Sequence, residues 1–127
     1  SMRRVVALAD GQSPFYCFID EVLKGTNTNE RIAASCAVLR YLHRPGCLCI
    51  AATHDLELTD LLKMQYENRH FSERVGERGV TFDYKLKDGP CRTTNAIRLL
   101  GYYDFPVALV EDAQAGMRRI DSTQKKT

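Results

Sequence analysis

Phe15-Tyr16-Cys17-Phe18-Ile19-Asp20-Glu21 is an apolar and aromatic run that stops on two adjacent carboxylates. A polar loop with Gly25-Thr26-Asn27-Thr28 follows, and a second apolar run, Cys47-Leu48-Cys49-Ile50-Ala51-Ala52, ends at Thr53-His54. Short, continuous apolar runs bounded by polar turns fit central strands covered on both faces. Between them, residues 30–43 carry Ile32, Ala33, Cys36, Ala37 and Leu39, a helix apolar over most of its surface and so buried or facing a partner. Thr28 or Asn29 suits its N-cap, and Glu30 suits the positive end of its dipole. Arg40, His43 and Arg44 suit the negative end, before Pro45-Gly46 stop it. Strand, helix and strand in this order predict a parallel βαβ unit with a right-handed crossover.

Working outward, residues 3–10 predict the end of a helix, broken by Gly11-Gln12-Ser13-Pro14. After the second strand, Asp55 suits the cap of a helix from Leu56 to about Lys63. A hairpin is expected next. In its second arm Val80, Phe82, Tyr84 and Leu86 alternate with Thr81, Asp83, Lys85 and Lys87, which predicts one buried and one wet face. Its first arm falls around Tyr66 to Arg74, and Asp88-Gly89-Pro90 ends it. The last third reads as helical. One helix is expected from Thr94 to Leu100, ending at Gly101. Another has Pro106 in its first turn, Asp104 as its cap, and an apolar stripe of Val107, Val110, Ala113, Met117 and Ile120. Ser122 to Thr127 reads as a frayed tail.

The 127 residues fit one domain, and 44% apolar with 27% charged residues is the composition of a soluble globular protein. No apolar run approaches the ~20 residues of a membrane span. No signal-peptide pattern opens the chain, and Ser1-Met2 reads as a cloning scar before a start or a chosen boundary. A net charge of +2 makes no case for a nucleic-acid surface. Of the five cysteines, Cys17, Cys36, Cys47 and Cys49 have apolar neighbours. C-x-C on a strand puts Cys47 and Cys49 on one face, but no second pair or suitable histidine spacing completes a zinc site. Plain buried thiols in a reducing cytoplasm are expected.

In open α/β sheets, ligands bind beyond the carboxyl ends of the strands, where Asp20, Glu21 and His54 fall. An acidic residue there can hold magnesium through water while the ion bridges phosphates. A second carboxylate can orient or deprotonate the attacking water. Phosphoryl transfer needs mostly positioning and charge neutralisation, so few residues suffice. A histidine on the neighbouring strand end can reach a terminal phosphate. Each feature alone has a plainer reading: surface charge or a cap for Asp-Glu, a helix-starting turn for Gly25-Thr26. Their occurrence on successive parallel strands points to the hydrolytic half of an ATP-driven motor.

These stretches, in order, resemble the C-terminal half of the ATPase domain of the MutS family of DNA mismatch-repair proteins, a branch of the ABC-type ATPases. Phe18-Ile19-Asp20-Glu21 resembles the family's Walker B strand, and Leu23-Lys24-Gly25-Thr26-Asn27-Thr28 its following loop. Ile32 to Leu42 resembles its Ala- and Leu-rich helix, and Thr53-His54-Asp55-Leu56-Glu57-Leu58 its Thr-His-x-x-Glu-Leu switch. Thr81 to Pro90 resembles a strand of the type Thr-Phe-x-Tyr-Lys-Leu-x-x-Gly-Pro, and the final helices resemble its dimerising C-terminal helices. The likeness covers residues 15 to 120. It implies an α/β fold, the C-terminal half of a P-loop NTPase domain, with parallel strands, an added antiparallel hairpin and C-terminal helices, the whole of 1–127 being one partial ATPase domain. It implies ATP and Mg2+ as cofactors, with Asp20 holding the metal through water, Glu21 as general base and His54 sensing the terminal phosphate. Gly25, Thr26, Asn27, Thr28 and Asn29 would form a loop crossing to the partner subunit of a homodimer that shares two ATP sites. DNA would be bound through domains these residues lack, with no membrane contact from this segment.

Departures from the family pattern bear on the reading. No G-x-x-x-x-G-K-[ST] occurs, nor the Ser-Thr-rich signature segment upstream of the Walker B strand. The mismatch-reading, connector and clamp domains are absent. Asn27 and Asn29 differ from the commonest loop, and Asp55-Leu56 stands for Tyr-His. A divergent MutS-like branch, whose parent need not read mismatches, is expected, with the chain alone inactive as an ATPase. Two rivals stand beside it: a non-catalytic dimerisation or docking module, and a small metal-dependent hydrolase using Asp20 and Glu21 directly.

Overall fold

In the computed structural model, which describes residues 1–92 and 95–125, helix α1 (Met2–Gly11) ends at the expected Gly-Pro break and strand β1 (Phe15–Asp20) follows. Helix α2 (Thr28–Leu42) then leads to strand β2 (Cys47–Ala52). The two strands pair in parallel, from Phe15 opposite Cys47 to Asp20 opposite Ala52, so the expected βαβ unit is present. Helix α3 (Leu56–Leu61) comes after β2. Together these elements make a mixed α/β arrangement with small sheets. The chain divides into two units, one of residues Ser1–Arg69 with Asp88–Pro90, the other of the described residues in 70–87 and from Cys91 onward.

The first unit buries Ala9 of α1, Cys17 and Ile19 of β1, Val22, the α2 residues Ile32, Cys36, Leu39 and Leu42, Leu58 of α3, and Leu62. Burial of this apolar surface is the main favourable term in folding. The strands were expected to be covered on both faces, and they are not. Cys17 and Ile19 face the core, whereas Tyr16 is 64% and Phe18 74% exposed. On β2, Cys47, Cys49 and Ala51 are half-buried while Leu48 and Ile50 are exposed. Alternating strand geometry sends neighbours to opposite faces, and the helices of this unit supply one layer. Cys47 and Cys49 do share a face, as thiols half-buried rather than fully buried.

Helix α2 is also narrower in its apolar stripe than expected. Ile32, Ser35, Cys36, Leu39 and Leu42 are buried at helical spacing, and Ala33, Ala34 and Ala37 lie outside the stripe, exposed. Its cap is Asn27, not Thr28 or Asn29: Asn27 Oδ1 accepts from the Asn29 N–H at 3.0 Å and the Glu30 N–H at 3.3 Å. Tyr66 closes the unit by donating its hydroxyl to the Leu39 carbonyl at 2.6 Å.

Strand β3 (Arg69–His70) is two residues long. In the second unit, β4 (Glu73–Gly76) and β5 (Gly79–Phe82) form an antiparallel hairpin with Gly76 opposite Gly79, which leaves Glu77-Arg78 as the turn. Gly79 has φ +118, a backbone conformation that favours glycine, and a Cβ there would stand 2.9 Å from the Tyr102 hydroxyl, which would have to shift. The first arm begins later than expected. The second arm stops at Phe82, and Phe82, Tyr84 and Leu86 are 56%, 84% and 60% exposed, so their alternation marks no buried face. The reason is local. Asp83 accepts from the Lys85 N–H and pairs with Lys87, each at 3.0 Å, while Tyr84 takes φ 56, and extended backbone cannot continue through that bend.

Strand β6 (Lys87–Asp88) is again two residues, and helix α4 (Ala96–Tyr102) follows. The expected start at Thr94 lies outside the described residues, and the helix continues through Gly101. Buried Asn95 donates to the Glu73 carbonyl and carboxylate at 3.2 and 3.0 Å, and Arg98 donates to the Val75 carbonyl at 3.0 Å, tying the start of α4 to β4. Helix α5 (Val107–Lys125) begins just after Pro106, whose carbonyl accepts from Leu109 and Val110. Of its expected stripe, Val110 and Ala113 are half-buried while Val107, Met117 and Ile120 are exposed. The segment Ser122–Lys125 is helical rather than frayed, and residues 126–127 lie outside the described part. Among the described residues no helix is long and apolar enough to cross a membrane.

Candidate functional site

The carboxyl ends of β1 and β2 lie side by side because the strands run parallel and in register to Asp20 and Ala52. The ladder continues one step further, with the Glu21 N–H donating to the Ala52 carbonyl at 2.8 Å. Glu21 itself takes φ 57. That region costs a residue with a Cβ about 1–2 kcal/mol, and such strain is held where surrounding contacts over-determine it. Here the contacts are clear. Glu21 Oε2 accepts from the Thr53 hydroxyl at 3.2 Å, and Oε1 accepts from the His54 backbone N–H at 2.9 Å. A carboxylate has about four acceptor sites, so this clasp uses part of its capacity and fixes its direction. Its side chain remains 22% exposed.

Asp20 sits at the last position of β1 and is exposed. The His54 imidazole is fully exposed, with Nε2 3.9 Å from Glu21 Oε1. Thus Glu21 and His54 are brought together, and Asp20 adjoins them in sequence at the same strand end. The loop residues have different places. Gly25 takes φ 64, a left-handed conformation that glycine adopts without steric cost. Thr26 and Asn27 are exposed, Asn27 being occupied as the α2 cap, and Thr28 is the exposed first residue of α2.

Three further residues belong to this neighbourhood. Thr53 is one, as the hydroxyl donor to Glu21. Arg31 and Asp55 are the others: Arg31 Nε donates to Asp55 Oδ2 at 2.9 Å and Nη2 to Oδ1 at 2.7 Å, a bidentate pair. Asp55 stands at the N-cap position of α3 but makes no side-chain cap bond there, against expectation, because its carboxylate is turned to Arg31. Its backbone N–H instead donates to Thr53 Oγ1 at 3.0 Å. The hydrogen bonds from Arg31 hold the Asp55 carboxyl below its ordinary value, against the opposing effect of burial. Nothing in sequence spacing brings together partners 24 positions apart; the only signal was an opposite charge at the start of each of two helices.

Chemically, the strand ends offer an anchored carboxylate, a second carboxylate beside it and an open imidazole. Hard oxygen donors of this kind suit magnesium. An anchored carboxylate with an acceptor site left over suits proton abstraction from water.

Residues 4–121 match the family model described as MutS domain V. The DNA mismatch repair protein MutS of Natronomonas pharaonis is 33% identical over 124 residues, which is 93% of this chain and 14% of that protein. The DNA mismatch repair protein Msh2 of Dictyostelium discoideum is 31% identical over 113 residues, 86% of this chain and 12% of that protein. MutS of Thermus thermophilus is 30% identical over 97 residues, 76% of this chain and 12% of that protein. The chain therefore spans 12% to 14% of the length of these curated relatives.

Proposed function

Since this chain belongs to the MutS family through its match to domain V, we propose that it is the hydrolytic half of an ATPase domain in a DNA mismatch-repair protein. The fold in this reading is the C-terminal half of a P-loop NTPase of the ABC type, occupying 1–127 as one partial domain. The phosphate-gripping loop would be supplied outside these residues, which contain no G-x-x-x-x-G-K-[ST]. Two such ATPase domains would close on shared ATP sites and drive a dimeric clamp on DNA held by other domains.

The observation that carries the reading is the clasp on Glu21, whose two oxygens are held by Thr53 and by the His54 backbone across two parallel strand ends. In the proposed reaction Glu21 takes a proton from the water that attacks the terminal phosphate in line, and ADP leaves. Asp20 would hold magnesium through water, and the ion would supply charge neutralisation at the phosphates. The exposed His54 ring would donate to the terminal phosphate. Gly25 to Asn29 would reach the partner subunit. Exposed Val107, Met117 and Ile120 on α5 favour a further role in dimerisation.

The test is Glu21→Gln in the full-length protein that carries this segment. ATP binding should persist while turnover falls by roughly 10²–10⁴, the usual worth of a general base. Undiminished turnover would remove Glu21 from that role.

A further inference from the structure

We propose that Arg31 is a positioning residue for the hydrolytic base, acting through Asp55 to hold the Thr53-His54 turn against the Glu21 carboxylate. The inference rests on the reading of Glu21 as that base. The contacts run without a gap. Arg31 grips both oxygens of Asp55 at 2.9 and 2.7 Å. The Asp55 N–H donates to Thr53 Oγ1 at 3.0 Å, and that hydroxyl donates onward to Glu21 Oε2 at 3.2 Å. The next N–H in the same turn, that of His54, donates to Glu21 Oε1 at 2.9 Å.

The geometry argues for alignment rather than bulk stability. The pair is part-buried, so desolvation of its two charges offsets much of their attraction and its net stability is modest. A guanidinium fork on a carboxylate, however, fixes orientation as well as distance. Arg31 stands in the first turn of α2, and its N–H donates to the carbonyl of Asn27, the residue that caps this helix. Asn27 is also part of the loop proposed to cross to the partner subunit. Arg31 therefore joins that loop to the turn that aims the base. A base misplaced by a fraction of an ångström loses rate without losing the ligand.

The test uses Arg31→Gln, Arg31→Lys, Asp55→Asn and the double variant Arg31→Gln/Asp55→Asn, beside Glu21→Gln. In this chain, the amide resonance of His54 reports the turn with no catalysis involved; it should shift in each variant. In the full-length protein, kcat should fall on the order of tenfold with KM for ATP little changed. The double variant should lose no more than either single one, because both break the same link. Arg31→Lys keeps the charge but not the fork, so it tests the same point should the glutamine variant fail to fold. A His54 amide that stays in place, or losses that simply add, would overturn the inference. So would an unchanged kcat in the Arg31 variants while Glu21→Gln abolishes turnover, an outcome that leaves the base itself standing. Full turnover in Glu21→Gln would instead remove the base, and the inference with it.

Discussion

Glu21 and His54 meet across the parallel strands through a backbone bond, the His54 N–H donating to Glu21 Oε1 at 2.9 Å, while the His54 ring stays fully exposed. One residue thus presents two separate resources. Its main chain orients the carboxylate, and its imidazole remains open to a ligand. Substitution can separate the two, because the N–H survives any change of side chain except proline.

His54→Ala should therefore leave the clasp on Glu21 intact and remove only the ring. In the full-length protein, hydrolysis should slow by roughly 10²–10³-fold, the scale of one lost charge-stabilising donor, with a smaller effect on ATP affinity. Rapid-quench turnover measured beside equilibrium nucleotide binding decides the matter. An unchanged rate would end the sensor assignment.

Calorimetry of MgATP with this chain alone should give no heat of specific binding. Magnesium in such sites takes much of its coordination from the phosphates and from water, and these residues contain no phosphate loop. Asp20→Ala is the control. Binding by the chain that vanishes in that variant would mean that a complete nucleotide site exists here.

The Arg31–Asp55 pair gives a pH signature. Asp55 is held below its ordinary value of 3.8 by the Arg31 hydrogen bonds. Its folded value is thus lower than its unfolded value, so the stability it contributes is full above the unfolded value and lost as pH falls through the folded one. The difference in urea stability between this chain and Asp55→Asn should be steady above about pH 5 and shrink below about pH 4. Asp10 and Asp83, also lowered, act alike in both proteins and cancel. A difference that grows as the pH falls would contradict the pairing.

The strand–helix–strand core was legible because its signals are local: two apolar runs, a helix between them, and polar punctuation at each end. So were the carboxylates at the strand end, since β1 had to stop where its apolar run stopped. Burial was less legible. Phe15 to Ile19 reads as covered on both faces, yet apolarity records what a surface requires, not whether this chain supplies it, and Tyr16 and Phe18 stay exposed. The stretch around Tyr84 failed for another reason. Asp83 bends it through contacts with Lys85 and Lys87 that the alternating pattern does not encode. The Arg31 fork was invisible for want of any short-range signal.

The exposed sheet face has a consequence in solution. Tyr16, Phe18, Leu48 and Ile50 are 64%, 74%, 52% and 56% exposed on adjacent strands. Contiguous apolar patches of this sort are uncommon on monomers and promote association. Light scattering at high concentration should give a mass above that of one chain, and Phe18→Asp should lower it. A strictly monomeric wild-type chain would count against this.

Stability of the first unit should depend on the helix layer of the core rather than on that open face. Leu42 is fully buried, within a cluster that includes Cys36, Leu39 and Leu62. Leu42→Ala removes apolar contact and leaves a cavity that surrounding side chains fill only in part, at a cost of about 2–5 kcal/mol. Leu61, 46% exposed on α3, is the matched control. Leu61→Ala forfeits a partly hydrated contact and leaves no closed void, so its cost should be about 1 kcal/mol or less. Urea unfolding of the two variants compares them directly. Equal costs would mean that the packing around Leu42 relaxes freely, and that the cluster is not the rigid layer on which β1 and its terminal carboxylates are held.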